Sequence, residues 1–507
     1  MVTTVRATER KYEAADGIEL PGWTGLAGVE TLVGPDEQVL EAVYFDTEDL
    51  RLARAGVTLR RRRGGDDAGW HLTLPAGGDG HDEVRVADAG TGRRRRPPAE
   101  LVALTRVFAR GAALAPVAEL STARRRWRLA DRAGDVLIEV VDDHVTAHTM
   151  GSSTSALAWR EVEVELGGHG DAALLDRVER RLLKAGVRRS DARSKLARLL
   201  GARLPSATSP RTVRAGAAVG DVVLAYLHEQ RDAVVRLDPA VRQDAPDAVH
   251  QMRVATRRMR SALQAYGKIV DRSATRELTD ELKWLAGVLG ESRDLEVLEA
   301  RFTAAVDELP DELVVGPVPV RLTRFFAPRE SDARTALIAA LDSDRYLALL
   351  AAVDRLLAEP PLTKLARGKA RRELPTVIGR AHRRVDGHVR TAEQLSGDER
   401  DVELHEGRKA AKRLRYAAEA AAPVLGGPGR KLVKQTKEVQ ELLGAHQDAV
   451  VARPVLREIG IQAHLDGENG FTYGVLYGQE TAGTNLAYAE VDEAFRELRR
   501  RAARVTR

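Results

Sequence analysis

Two runs of residues in this chain have the types and spacing to grip a polyanion. His250, Arg253, Arg257 and Arg260 recur at intervals of three, four and three, and His405, Arg408, Lys412 and Arg415 repeat the pattern 155 residues downstream, with Lys409 beside the second run. At 3.6 residues per turn, each set falls on a helical stripe roughly 80° wide. The segment Val249–Lys268 contains no acidic residue. Like charges one turn apart repel by a few tenths of a kcal/mol each, so an anion lying along the stripe relieves that cost. A single Arg-rich helix is ordinarily a solvated face, and a lone histidine is ordinarily a structural hydrogen-bonding residue. Here the stripe occurs twice, each time headed by histidine, and two rows suit a long polyanion better than a small metabolite.

A second constellation lies in the first two hundred residues. In Trp159–Leu166, Glu161, Glu163 and Glu165 share one face of a strand, and Val162, Val164 and Leu166 share the other. Arg60 and Arg62 share a face, as do Arg124, Arg126 and Arg128, and so do Glu9 and Lys11. Such strands ordinarily face solvent. Matched ladders on four strands favour a wet tunnel instead, because a dry barrel lined with both signs of charge is costly to desolvate. Arginine grips phosphate in a bidentate fork, and carboxylates hold Mg²⁺ against phosphate oxygens, where it can polarise a phosphoryl group.

The elements that must carry these residues are legible from periodicity. Alternation predicts strands over Val5–Glu13, Gln38–Thr47, Val57–Arg63, Trp70–Leu74, Glu83–Ala87, Val117–Leu129, Asp135–His148 and Ala158–Leu166. Helical patterns fall at Ala99–Arg110, Ala172–Ala185 and Ala192–Leu200. Local connections suggest an antiparallel meander closed into a barrel, with the apolar face of the last strand against Ala172–Ala185. A linker is expected at 202–212, around Leu204-Pro205-Ser206, and helices thereafter. Leu289-Gly290-Glu291-Ser292-Arg293-Asp294 matches Leu443-Gly444-Ala445-His446-Gln447-Asp448 at an offset of 154, nearly that of the basic runs. The helical half therefore reads as two copies of one unit, about 215–360 and 365–505, related by a pseudo-twofold axis.

Composition bounds the chemistry. The 507 residues carry a net charge of only +5, so placement of charge carries the information. Without cysteine there is no disulfide, thiolate metal site or thiol nucleophile. Aromatic residues make up 4%, little material for base stacking. Beyond Gln251 and Gln264 the first basic helix lacks base-reading side chains, which disfavours DNA, the rival polyanion. Neither a signal segment nor a membrane span is visible, so a cytoplasmic protein is expected.

Val213–Ala503, with its two His-x-x-Arg-x-x-x-Arg/Lys-Arg-x-Arg helices each followed by Leu-Gly-x-x-x-Asp, resembles the CHAD domain, the conserved histidine α-helical domain. That resemblance implies two four-helix bundles and a basic surface for inorganic polyphosphate, formed by His250, Arg253, Arg257, Arg260, His405, Arg408, Lys409, Lys412 and Arg415. Val2–Leu200 resembles a CYTH domain of the triphosphate tunnel metalloenzymes. The resemblance rests on Thr8-Glu9-Arg10-Lys11, Val43-Tyr44-Phe45-Asp46-Thr47, Leu59-Arg60-Arg61-Arg62, Trp70-His71-Leu72-Thr73-Leu74-Pro75 and Trp159–Leu166. It implies an eight-stranded tunnel acting on triphosphates or polyphosphate with Mg²⁺ or Mn²⁺. Lys11, Arg60, Arg62, Arg124, Arg126 and Lys195 would contact phosphate. Glu9, Glu161 and Glu163 would serve the metal, with Glu139 or Asp142 as helpers, while Glu83 and Arg85 match more weakly. Two positions depart from the family pattern: Ala7 stands where the first motif has Glu, and Thr73 where Lys precedes Leu-Pro. The first loss weakens the metal side and the second the phosphate side, so weak or absent triphosphatase activity is expected. The leading expectation is a polyphosphate-binding protein with a weakly active or merely binding tunnel. The alternatives are an active metal-dependent tripolyphosphatase and a nucleic-acid-binding protein.

Overall fold

The computed structural model describes residues 2–87, 96–151, 154–204, 213, 216–486 and 488–506. Residues 205–212 of the expected linker lie outside them. The chain forms two compact units, Met1–Ser209 and Pro210–Arg507.

The first unit is a closed antiparallel barrel. Its elements are β1 (Val2–Ala14), β2 (Thr31–Asp46), α1 (Arg51–Arg54), β3 (Thr58–Arg63), β4 (Gly69–Gly77), β5 (Gly80–Ala87), α2 (Ala99–Ala109), β6 (Ala115–Ala130), β7 (Val136–Thr149), β8 (Ala156–Leu166), α3 (Ala172–Lys184), β9 (Arg188–Arg189) and α4 (Lys195–Leu200). The strand order is β5-β4-β3-β2-β6-β7-β8-β1-β9, and β1 also pairs with β5. The expected meander is therefore corrected. Hairpin runs β2–β5 and β6–β8 join through β2 and β6, and β1 closes the ring. Val2–Thr8 pairs with β5 and Glu9–Ala14 with β8. The two-residue β9, with no room for alternation, was not legible.

Alternation sorts the two faces of each strand. Val162 and Val164 of β8 are buried outside the barrel against Leu174, Leu175, Val178 and Leu182 of α3, leaving the glutamates of the same strand to turn inward. Asp46 ends β2 as a fully buried carboxylate and accepts from the N–H groups of Thr47, Leu52 and Ala53, at 2.7, 2.9 and 2.9 Å. The Tyr44-Phe45-Asp46-Thr47 motif thus anchors the turn into α1, while Tyr44 reaches the cavity.

The second unit is helical: α5 (Val219–Arg242), α6 (Ala248–Ala265), α7 (Arg276–Asp307), α8 (Val318–Asp342), α9 (Asp344–Ala358), α10 (Ala370–Ala392), α11 (Gly397–Leu465), α12 (Phe471–Leu486) and α13 (Tyr488–Thr506). Helix α11 breaks at Gly426, where φ is 64°. Its two arms correspond to α6 and α7. Each copy then runs through five helical arms, α5–α9 and α10–α13, one more than four-helix bundles would have. The copies share a core in which Phe302, Leu322 and Phe326 meet Leu456, Ile459 and Tyr473. No described helix is long and apolar enough to cross a membrane.

Candidate phosphate-binding sites

The barrel encloses a cavity of about 390 Å³. Lys11, Arg60, Arg62, Arg124, Arg126 and Lys195 all line it, as do Glu9 and Glu163. Arg85, Arg193 and Tyr44, which sequence reasoning underrated or missed, line it too. Most of its cations already hold a carboxylate. Arg60 lies 3.0 Å from Glu83, which also meets His71 and Arg85. Arg62 lies 2.8 Å from Asp67, and Arg126 2.8 Å from Asp66. Burial, followed by repulsion from Arg60, drops the Arg62 guanidinium to about 10. Arg62 is thus a cavity cation whose charge its own carboxylate does not fully offset.

At one side three carboxylates converge. Oxygens of Asp143, Glu161 and Glu163 lie within 4.8 Å of one another. Lys195, the first residue of α4, is buried and places Nζ 3.0, 2.7 and 2.9 Å from them. Its position is set by Ser194, whose hydroxyl accepts from the Ala197 N–H and caps the helix. Arg124 grips Asp143 through two bonds of 2.8 and 2.7 Å and reaches Glu163 at 3.3 Å. Lys11 bonds Glu163 and lies 2.8 Å from Glu9. Burial opposes the charges of Lys195 and Glu163. The carboxylates nevertheless hold the Lys195 ammonium well above its usual range, and Lys11, Lys195 and Arg124 hold Glu163 well below its own.

The expected acidic set changes in two ways. Asp143 joins Glu161 and Glu163, and Glu9 instead sits beside Lys11 and His81. Asp142 is excluded from the cavity. Its carboxylate is buried on the outer face, held at 2.8 and 3.0 Å by Arg160, which also donates to the carbonyls of Ala15, Asp16 and Ile18. Parity decides this: Glu139 and Asp143 share a face that Asp142 cannot, and Asp143 pairs with Glu161 in register. Glu139 lines the cavity, aligned through Glu165 with Glu9. Burial, then the neighbouring carboxylates led by Glu9 and Glu139, push Glu165 up to about 7.

Three hard oxygen donors this close suit Mg²⁺ or Mn²⁺ by chemistry. The residues present therefore fit a divalent cation at Asp143, Glu161 and Glu163.

In the helical unit, α6 and the first arm of α11 bring both basic rows together. Lys412 is half-buried, and burial followed by Arg257, Arg408 and Arg253 lowers its ammonium to about 7. Burial and neighbouring guanidinium groups of both rows likewise lower Arg257. Among the described residues, none of Arg257, Arg260 and Lys412 forms an ion pair with a carboxylate. The two repeated motifs of each copy form one contact. Arg253 bonds Asp294 at 2.7 Å, and Arg408 approaches Asp448 at 3.6 Å. Each guanidinium lies over a glycine, since a Cβ on Gly290 or Gly444 would come within 3.2 Å of it.

The copies are not equivalent. His405 meets Gln447 at 2.7 Å, whereas burial and then the cations Arg293, Arg253 and Arg257 lower His250, against Asp247. Arg415 is tied to Glu419 at 2.8 Å, a carboxylate shared with Arg258 of the first copy; the position matching Glu419 is Gln264. Lys409 is exposed and paired with Glu406.

Comparison with known proteins agrees with this division. Two curated relatives, both uncharacterized proteins of Mycobacterium tuberculosis, are 39% identical over 507 residues, covering 97% of this chain and 96% of each relative. Among solved structures, PptA from Streptomyces chartreusis matches 55% of this chain and 100% of its own at 22% identity, with a TM-score of 0.47. The CHAD domain from the plant Ricinus communis matches 57% and 95% at 26% identity, with a TM-score of 0.45. The family models that match are the CYTH domain over residues 7–200 and the CHAD domain over residues 225–457. The chain accordingly belongs to the proteins that join a CYTH domain to a CHAD domain.

Proposed function

We propose that the helical unit binds inorganic polyphosphate across both basic rows at once. The observation that carries this reading is the convergence of Arg257, Arg260 and Lys412 without a carboxylate partner among the described residues. Arg257 repels both Arg260 and Lys412 at a half-buried seam, and phosphates of one flexible chain relieve all three. Membership of the CHAD family supports the same ligand. Binding chain after chain of contacts makes affinity rise with polyphosphate length until both rows are covered, and makes it fall with salt.

The tunnel reads as a second, shorter phosphate site. Arg62, flanked by Arg60 and Arg124, supplies the positive region, with Lys11 and Lys195 beside it in the cavity lining. A divalent cation held by Asp143, Glu161 and Glu163 would neutralise phosphate charge and polarise a phosphoryl oxygen.

The test is binding of labelled polyphosphates of several lengths to the full chain. Replacing Arg253, Arg257 and Arg260 together with Ala is expected to weaken long-chain binding by at least about tenfold and to flatten its salt dependence. Unchanged long-chain affinity in a folded variant overturns the reading. Displacement by duplex DNA at equal phosphate concentration would put the nucleic-acid reading ahead.

A further inference from the structure

The charges around Asp143, Glu161 and Glu163 already cancel. Three carboxylates are met by three cations, Lys195, Arg124 and Lys11, at 2.7–3.3 Å apart from the closer Lys11–Glu163 contact. Lys195 is itself the common neighbour of all three acids, standing among the oxygens that a divalent ion would use. Asp143 is fully buried, and Glu161 and Lys195 nearly so. A divalent ion entering alone must displace the ammonium and leave two uncompensated positive charges among buried side chains, which is strongly unfavourable. A phosphate chain changes the balance. Its oxygens offer the displaced Lys195, and Arg124 beside it, a new anionic partner within the same cavity.

We infer that Lys195 interlocks the two ligands of the tunnel: its ammonium keeps free divalent cations off Asp143, Glu161 and Glu163, and a bound phosphate chain draws it away so that cation and phosphate enter together. The inference rests on the reading of the tunnel as a phosphate site. Its thermodynamic content is a positive coupling, by which each ligand raises the affinity of the other by the same factor. Lys195 is the coupling residue, because among the described residues it alone pairs with all three acids and it is carried on a helix separate from the strands that hold them.

Mn²⁺ is the probe, followed in the full chain by water-proton relaxation, with tripolyphosphate as the phosphate chain. Tunnel-bound Mn²⁺ is the part of the signal lost in Glu161→Gln. The expected result is negligible tunnel binding of Mn²⁺ alone, and about one ion per chain once tripolyphosphate is present, a gain of at least tenfold in affinity. Lys195→Gln is expected to bind Mn²⁺ alone at least about tenfold more tightly than the natural protein and to gain less from tripolyphosphate. Equal Mn²⁺ affinity with and without tripolyphosphate overturns the interlock. So does a folded Lys195→Gln variant, judged by thermal unfolding, whose affinity for Mn²⁺ alone is unchanged; Lys195→Met repeats the test with a side chain of similar length. Failure of the underlying reading looks different: tripolyphosphate then binds equally to the natural protein and to Arg62→Ala and leaves tunnel Mn²⁺ unaltered in every variant.

Discussion

Lys412 stands where the two basic rows meet, and its charge is conditional near neutral pH. Burial and the facing cations Arg257, Arg408 and Arg253 lower it to about 7, against a weaker pull from Asp448. Below that pH the ammonium is present and an anion gains its full attraction. Above it the free protein carries a neutral amine, so binding must take up a proton. Polyphosphate affinity is therefore expected to fall as pH rises from 7 to 9, by up to about tenfold per unit while the bound form stays protonated. Lys412→Met should flatten that dependence and leave weaker binding at pH 6. Isothermal titration in buffers of different ionisation enthalpy checks both, since the natural protein should take up protons on binding near pH 8 and the variant should not.

At the scale of elements, strand β1 shows what one substitution costs a barrel's chemistry and what it spares. Ala7 shares the face of Glu9 and Lys11 and is buried, so the strand closes the ring between β5 and β8 as well as a glutamate would allow. What is missing is a carboxylate beyond Glu9, and on β4 Thr73 lines the cavity where the family pattern has Lys. Triphosphatase activity of the natural protein is expected to be weak or absent. Ala7→Glu with Thr73→Lys should raise Mg²⁺-dependent phosphate release from tripolyphosphate by about tenfold or more, measured as free phosphate over time. Robust turnover by the natural protein, lost in Glu161→Ala, would show that the remaining acids suffice.

Across the whole helical unit, duplication in sequence has not kept the copies equal. Glu419 neutralises Arg415, and Asp448 lies near Arg408, whereas Arg257 and Arg260 have no such partner among the described residues. Paired removal of Arg257 and Arg260 is expected to cost long-chain affinity about tenfold, and paired removal of Arg408 and Arg415 only about threefold, because part of the second pair's charge is already spent internally. Fluorescence anisotropy with one long polyphosphate, repeated over a range of salt, separates the two. Equal losses would restore the symmetric picture that the repeat offset suggested.

The sequence by itself determined the eight long strands, the helical half, the duplicated basic stripes and most cavity cations. These follow from periods of two and 3.6 and from residue type, which are local properties. Even the outward face of Val162 and Val164 follows from parity. Tertiary structure decided what depends on partners far along the chain. It placed β1 between β5 and β8, where local connections suggested a continuous meander. It put Asp143 into the carboxylate cluster and turned Asp142 outward to Arg160, a difference of one residue that only strand register resolves. It joined Arg253 to Gly290 and Asp294, two motifs legible separately but not as one contact. Finally, it set Lys195 among three acids from β7 and β8. The partners each of these groups meets are brought close by folding, and no spacing along the chain encodes that.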